Sequence, residues 1–239
     1  MPTNAYLWFQ TLPGAGAATP GPIQTSCVNT LASGSVVGGA ALDDGTGYYE
    51  VDAAGDVAAF GAATCYGSLT GTHLNEPIVG MAVDRATGGY WLVGSDGGVF
   101  AFNAPYLGGT GGMPINKPVV GMTPTLNGSG YWLVASDGGV FAYNAPFQGS
   151  TGSLRLNKPV VAIAPVSDGT GYRLVASDGG VFDFNAPFFG STGSITLNKP
   201  VVAGLNDNSY DGYWLVASDG GLFSFSPPGE GMPFFGSAV

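Results

Sequence analysis

One sixteen-residue phrase recurs almost unchanged along the chain: YWLVGSDGGVFAFNAP at 90–105, YWLVASDGGVFAYNAP at 131–146, YRLVASDGGVFDFNAP at 172–187 and YWLVASDGGLFSFSPP at 213–228. A diverged copy, YYEVDAAGDVAAFGAA, stands at 48–63. The leading tyrosines are Tyr48, Tyr90, Tyr131, Tyr172 and Tyr213, so the spacing is 42 residues once and 41 thereafter. A repeat of this length is one supersecondary unit whose apolar faces are covered only by stacking on like neighbours. The fold is therefore a succession of similar units, and a functional site is expected once per unit.

The unit at 118–158 reads as four strands. PVVGMT (118–123) is an apolar run ended by the breaker cluster TPTLNGSG, and we label it strand a. YWLVA (131–135) is aromatic and β-branched and makes strand b. Ser136-Asp137-Gly138-Gly139 is a tight hairpin signal, VFAYN (140–144) is strand c, and Ala145-Pro146 ends it because proline cannot donate to a ladder. FQGS (147–150) is read as a short strand d, and TGSLRLNKP (151–159) returns to the next unit.

Strands a and b are apolar on both faces, whereas a sheet with one wet face alternates. Sheets covered on both sides by their like describe the blades of a propeller, and radial repetition leaves only short edges. A β-solenoid is the competing architecture, but its coils are usually shorter and lack this hairpin. Five copies of strand a (35–40, 77–82, 118–123, 159–164, 200–205) and five of strand d, the last at 234–237, predict an all-β, five-bladed β-propeller of four-stranded repeats. The predicted division is an N-terminal tail over 1–34 and the propeller over 35–239. Within the tail, AYLWFQT (5–11) is a candidate closing strand on the outer edge of the last blade.

Composition narrows the function. Only 9 % of residues are charged, 16 acidic against 6 basic, for a net charge of −10. Nucleic acid and anionic membrane surfaces both need clustered Lys and Arg, so neither is an expected partner. No apolar run reaches the 18 residues that membrane insertion by a helix requires. Residues 1–20 lack the basic start and apolar stretch of a signal peptide. The chain is then either cytosolic or begins after cleavage. The Gly/Ser/Thr-rich, lysine-poor composition favours a secreted or cell-surface protein. Cys27 and Cys65 allow one disulfide or two unpaired thiols and too few ligands for a usual metal site. We expect the disulfide, because Cys65 takes the slot of Phe147 and Phe188 and only the first copy has a tail to anchor.

Alternating strand direction sorts the loops onto two faces. The b–c turns and d–a loops share one, which carries Asp96, Asp137, Asp178 and Asp219 with Asn116, Lys117, Asn157, Lys158, Asn198 and Lys199. One reading makes these a repeated polar pocket for sugar hydroxyls; the other makes Asp-Gly a turn and Asn-Lys-Pro an approach to strand a. The opposite face gathers Asp43, Asp44, Asp84, Asp168, Asp207 and Asp211 against Arg85. Trp91, Trp132 and Trp214 are either sugar platforms or packing between blades, with packing favoured by their place in strand b. Arg173 in the same slot suggests that the slot reaches solvent, and His73 reads as a solvated loop residue.

An enzyme is not expected. A propeller glycosidase needs a central pair of carboxylates, and the expected channel lining, the runs VVGGA, IVGMA, VVGMT, VVAIA and VVAGL of strand a, contains no Asp, Glu, His, Ser or Cys. No GxSxG, HExxH or phosphate-loop pattern occurs, and no cofactor is implied.

The phrase YWLVASDGGVFAYNAP with LNKPVV resembles a repeat widespread in exported actinobacterial proteins, and the resemblance covers about 36–239. There the repeat accompanies cell-wall hydrolase, esterase-like or protease domains as a non-catalytic module. The architecture is also similar to that of the five-bladed tachylectin lectins, whose sugar sites recur once per blade. These resemblances imply a binding module for a glycan or cell-envelope polymer; a protein-interaction or structural propeller is the alternative. Neither transfers a site residue.

Overall fold

In the computed structural model, residues 27–28, 31, 35–207, 212–229 and 236–237 are described. The candidate closing strand at 5–11 and Asp211 lie outside them, as does the start of the last trailing segment. Among the described residues there is no helix, and the strands form five antiparallel sheets of three. The first is β1 (Val36–Ala41), β2 (Gly47–Asp52) and β3 (Val57–Gly61). The second is β4 (Ile78–Val83), β5 (Tyr90–Gly94) and β6 (Val99–Phe102). The third is β7 (Val119–Pro124), β8 (Tyr131–Ala135) and β9 (Val140–Tyr143). The fourth is β10 (Val160–Pro165), β11 (Tyr172–Ala176) and β12 (Val181–Phe184). The fifth is β13 (Val201–Asn206), β14 (Tyr213–Ala217) and β15 (Leu222–Phe225).

Successive first strands pack on one another, β1 on β4, β4 on β7, β7 on β10 and β10 on β13. All five line one cavity of about 490 Å³. A bulge near the start of each leaves Val120 without a cross-strand partner, between Val119↔Ala135 and Gly121↔Val134. Val120 and its counterparts Val37, Val79, Val161 and Val202 face this cavity. The apolar core is not one mass but four clusters, each shared by two adjacent sheets. Stability in such a stack is a sum over neighbours.

The expected fourth strand is not formed. Residues 65–68, 106–109, 147–150 and 188–191 are not in strands. The reason lies in their glycines. Gly67, Gly108, Gly149 and Gly190 have φ between 128 and 135°, a backbone conformation outside regular strand geometry that side-chain-bearing residues rarely adopt. The backbone of each segment bonds the next sheet instead. Gln148 N–H donates to the Tyr172 hydroxyl at 3.1 Å, and that hydroxyl donates to Gly149 O at 2.6 Å. Leu107 and Gly108 meet Tyr131 in the same way, and Phe189 and Gly190 meet Tyr213. In the first sheet, Tyr66 N–H and Gly67 O are held by Tyr90.

Each seam has a second fixture in the slot after the leading tyrosine. Trp91 lies 5.1 Å from the Tyr131 ring, and Trp132 lies 5.4 Å from that of Tyr172. Their indole N–H groups donate to Pro105 O and Pro146 O at 2.8 and 2.9 Å. Both tryptophans are fully buried, so of the two sequence readings packing holds. Tyr49 performs the same task at the first seam, 4.7 Å from Tyr90 and donating to Thr64 O. Arg173 does so at the fourth, with Nη2 on Pro187 O and the guanidinium 4.2 Å above the Tyr213 ring. The slot selects a flat group with a donor at its edge.

This corrects the expectation that Arg173 reaches solvent, since its side chain is 1 % exposed. Its charge is met by Asp183, directly across β11 and β12, at 3.0 Å, and by Asn206 of the fifth sheet. Other copies place Ala101, Ala142 or Ser224 opposite the slot. Burial pushes the Asp183 carboxyl up, against the pull of Arg173.

Two predictions follow from the seams. Burial pushes the Tyr90 and Tyr131 hydroxyls up to about 12 and raises Tyr172 and Tyr213 as well. The folded chain then holds protons that the unfolded chain releases near pH 10, so stability is complete below pH 10 and falls as pH rises towards 12. Thermal midpoints across pH 8–12 should be flat and then drop, and tyrosinate absorbance should show a late-titrating class. Separately, Arg173→Ala should cost about 3 kcal/mol in denaturant unfolding, because it strands a buried carboxylate. The pair Arg173→Trp with Asp183→Ala, which restores the pattern of the third sheet, should recover that loss.

Candidate functional site

The b–c turns and d–a loops lie together on one face and are locked to each other. In the third sheet, Gly138 N–H donates to Ala135 O and Ala135 N–H to Gly139 O, both at 2.8 Å. Asp137 Oδ1 accepts from Gly139 N–H at 3.0 Å. The d–a loop then docks on the turn, with Thr151 N–H on Gly138 O and the Thr151 hydroxyl on Asp137 O at 3.2 Å. Thr110 and Thr192 repeat this clamp on Asp96 O and Asp178 O. Thr110, Thr151 and Thr192 are 1–3 % exposed.

The ten residues singled out in the sequence divide into two groups. Asp96, Asp137, Asp178 and Asp219 are half-buried, and one oxygen of each is engaged by a backbone N–H of its own turn, at 2.8–3.1 Å. Their first task is to shape the hairpin. Asn116, Lys117, Asn157, Lys158, Asn198 and Lys199 stand exposed on the loops that the threonines clamp. Among the described residues none of the three lysines has an ion-pair partner. Arg155 is exposed on the same set of loops, whereas Arg85 pairs with Asp43 at 3.0 Å and Arg173 is buried. Four of the six basic residues thus occupy this face, and among the described residues they are the four without an ion-pair partner.

Sequence reasoning missed the apolar neighbours. Met113, Leu154 and Ile195, three residues before Asn116, Asn157 and Asn198, are 54, 59 and 57 % exposed on the same loops. It also missed Tyr106, Phe147 and Phe188 beyond the c–d corners, 64, 59 and 59 % exposed on the other side. Both sets are legible as recurrent apolar residues in loops, but an apolar residue between breakers reads as buried until its exposure is seen.

The opposite face is built from the a–b loops and the c–d corners. Asn103, Asn144 and Asn185, at φ of 47–50°, donate across to Thr87 O, Ser129 O and Thr170 O. Its carboxylates mostly hold their own loops. Asp44 and Asp168 each accept N–H and O–H from Thr46 or Thr170, and these bonds hold both carboxyls below the usual range. Asp84 is buried and accepts from Ala86 N–H and the Thr87 hydroxyl. His73 is exposed.

The cavity is lined by Val, Gly, Ala, Met and Ile, with Asp43, Arg85, Thr123 and Asn206 toward the a–b end. Cys27 and Cys65 are joined in a disulfide with Cα atoms 6.0 Å apart. No helix among the described residues is long and apolar enough to cross a membrane.

No protein-family model matches the sequence, and the search of curated proteins finds no match. Among solved structures, the fold is similar to that of a structural-genomics protein of unknown function from Bacteroides thetaiotaomicron. The likeness has a TM-score of 0.54 at 14 % identity and covers 79 % of this chain and 58 % of that one. At that identity it speaks for the fold alone, and this chain spans under two thirds of that protein.

The clamp gives a prediction. Gly138 has φ +77°, and a Cβ there would meet the Thr151 hydroxyl. Gly138→Val should therefore lower unfolding free energy by about 3 kcal/mol, from strain and lost docking together. Gly121→Ala, where a Cβ meets nothing within 4 Å, should leave it nearly unchanged. Denaturant melts of the two variants check this.

Proposed function

We propose that this chain is a non-catalytic binding module for a repetitive glycan or cell-envelope polymer, engaged once per sheet by the d–a loops. One observation carries the reading: the same exposed set recurs in the second, third and fourth sheets. It consists of an aliphatic knob (Met113, Leu154, Ile195), an amide (Asn116, Asn157, Asn198) and an unpaired ammonium (Lys117, Lys158, Lys199). Each set sits on a loop fixed by a buried threonine, so the sites are alike in geometry as well as in composition. Asn and Lys suit hydroxyl, carboxylate or phosphate groups, and alike weak sites on one chain combine through effective concentration.

In this reading the five sheets close into a five-bladed ring over 35–239, with the tail over 1–34 outside it. The common cavity of the five first strands supports that ring. The disulfide supports an oxidising, extracellular or cell-surface setting.

The test is binding to insoluble cell-wall material and to a glycan array, with stoichiometry from calorimetry. Lys158→Ala alone should weaken binding about threefold. The triple change at Lys117, Lys158 and Lys199 should weaken it by a factor on the order of 30 or more, as multivalent sites are lost together. Asp168→Ala, on the other face, should leave binding unchanged. Binding that survives the triple change, or that disappears with Asp168→Ala, would place the ligand elsewhere.

A further inference from the structure

The outer strands of the second, third and fourth sheets each begin with an outward carbonyl that, among the described residues, no backbone N–H meets. Gly94 N–H donates to Gly98 O, so along the pairing Val93↔Val99 the peptide groups of Val99 point away from β5. β6, β9 and β12 are the last strands of their sheets. Among the described residues no backbone hydrogen bond reaches the carbonyls of Val99, Val140 or Val181. Four residues past the ends of these strands come Tyr106, Phe147 and Phe188, each more than half exposed. Unpaired strand edges are templates for pairing with another chain.

The first sheet carries the same seat, and there it is filled. Cys65 occupies the slot of Tyr106, Phe147 and Phe188 but is 9 % exposed, because Cys27 is bonded to it and packs against the core. The next residue, Val28, donates its N–H to Val57 O at 2.9 Å. Val57 is the counterpart of Val99, Val140 and Val181. Cys27 and Val28 thus cover the slot with one side chain and cap the outward carbonyl with the following N–H. The trailing segment 65–69 remains in place beside them, so both fit together.

We propose that the outer edges of the second, third and fourth sheets dock an extended polypeptide segment of a partner protein. One of its side chains rests on Tyr106, Phe147 or Phe188, and the next residue, which is not proline, donates its N–H to Val99, Val140 or Val181. The ring replaces the disulfide as the anchor, and main-chain pairing sets the direction. The ring of this surface follows the c–d corner and its carbonyl follows the b–c turn, but none of its residues is an Asn or Lys of the d–a loops, so the lysine substitutions that test polymer binding leave it intact.

The full chain carrying Phe147→Cys recreates the first-sheet slot on the third sheet. It would be equilibrated in a glutathione buffer with the synthetic peptide GPIQTSCVNTLASG, residues 21–34 of this chain, and the mixed disulfide quantified by intact mass. Leu154→Cys, at a position equally exposed on a d–a loop, measures capture without a seat. Capture by Phe147→Cys should exceed that by Leu154→Cys at least tenfold. N-methylation of the valine after the peptide cysteine should abolish the excess. Equal capture by the two variants, or capture indifferent to N-methylation, would overturn the proposal. On the unsubstituted protein, the same peptide with its cysteine replaced by leucine should shift the ring NMR signals of Phe147 and Phe188. Ring shifts with cellohexaose and none with the peptide would overturn it in favour of a sugar platform.

Discussion

The structure depends on a hydroxyl. The leading tyrosine of each sheet from the second to the fifth reaches back and fastens the trailing segment of the sheet before it. For Tyr131, Tyr172 and Tyr213 the bond to the glycine carbonyl is 2.6–2.7 Å long. Each such hydroxyl also accepts a backbone N–H, so a segment that could not sit buried without partners is satisfied by the neighbouring unit. Each such bond contributes about 1 kcal/mol net but would cost more to leave unmade. The flat donor beside it, Tyr49, Trp91, Trp132 or Arg173, closes the same seam from the other side. The unit boundary in sequence is therefore not the unit boundary in space.

That arrangement has consequences for binding. Because the trailing segments of the second, third and fourth sheets are pinned at their start by the next sheet and at their end by a threonine on their own turn, the loop between is held at both ends. The loops that present Asn116, Asn157 and Asn198 with their lysines are offered in one conformation, repeated. The same pinning keeps the trailing segment from pairing with the third strand, and so leaves the edges of β6, β9 and β12 open. One constraint thus accounts for the lysine-bearing loops and for the aromatic rim.

Strands a, b and c were legible because their signals are local: an apolar run, a β-branched run, and Asp-Gly between them. The Cys27–Cys65 bond was legible from the single slot where a cysteine replaces an aromatic. The trailing segment was misread because its aromatic and glycine residues look like a strand, while its hydrogen-bond partner lies in a side chain more than 20 residues on. Arg173 was misread because its compensation, Asp183 and Asn206, is spread over two other strands and reveals itself only as departures from the repeat. The role of Asp137 was half legible: the turn was foreseen, but not that the turn would engage one of its carboxylate oxygens. The loop threonines gave no signal beyond recurrence, since nothing local distinguishes a clamp from a solvated hydroxyl.

Hydrogen exchange tests the seam directly. Leu107, Gln148 and Phe189 have backbone N–H groups that donate to the hydroxyl of the following sheet. In the unsubstituted protein these amides should be protected to a degree approaching that of β8 and β11. In Tyr172→Phe, the amides of Gln148 and Gly149 should exchange at least tenfold faster, while those of Leu107 and Phe189 keep their protection. Unchanged protection at Gln148 would contradict the account, and so would equal loss at all three positions.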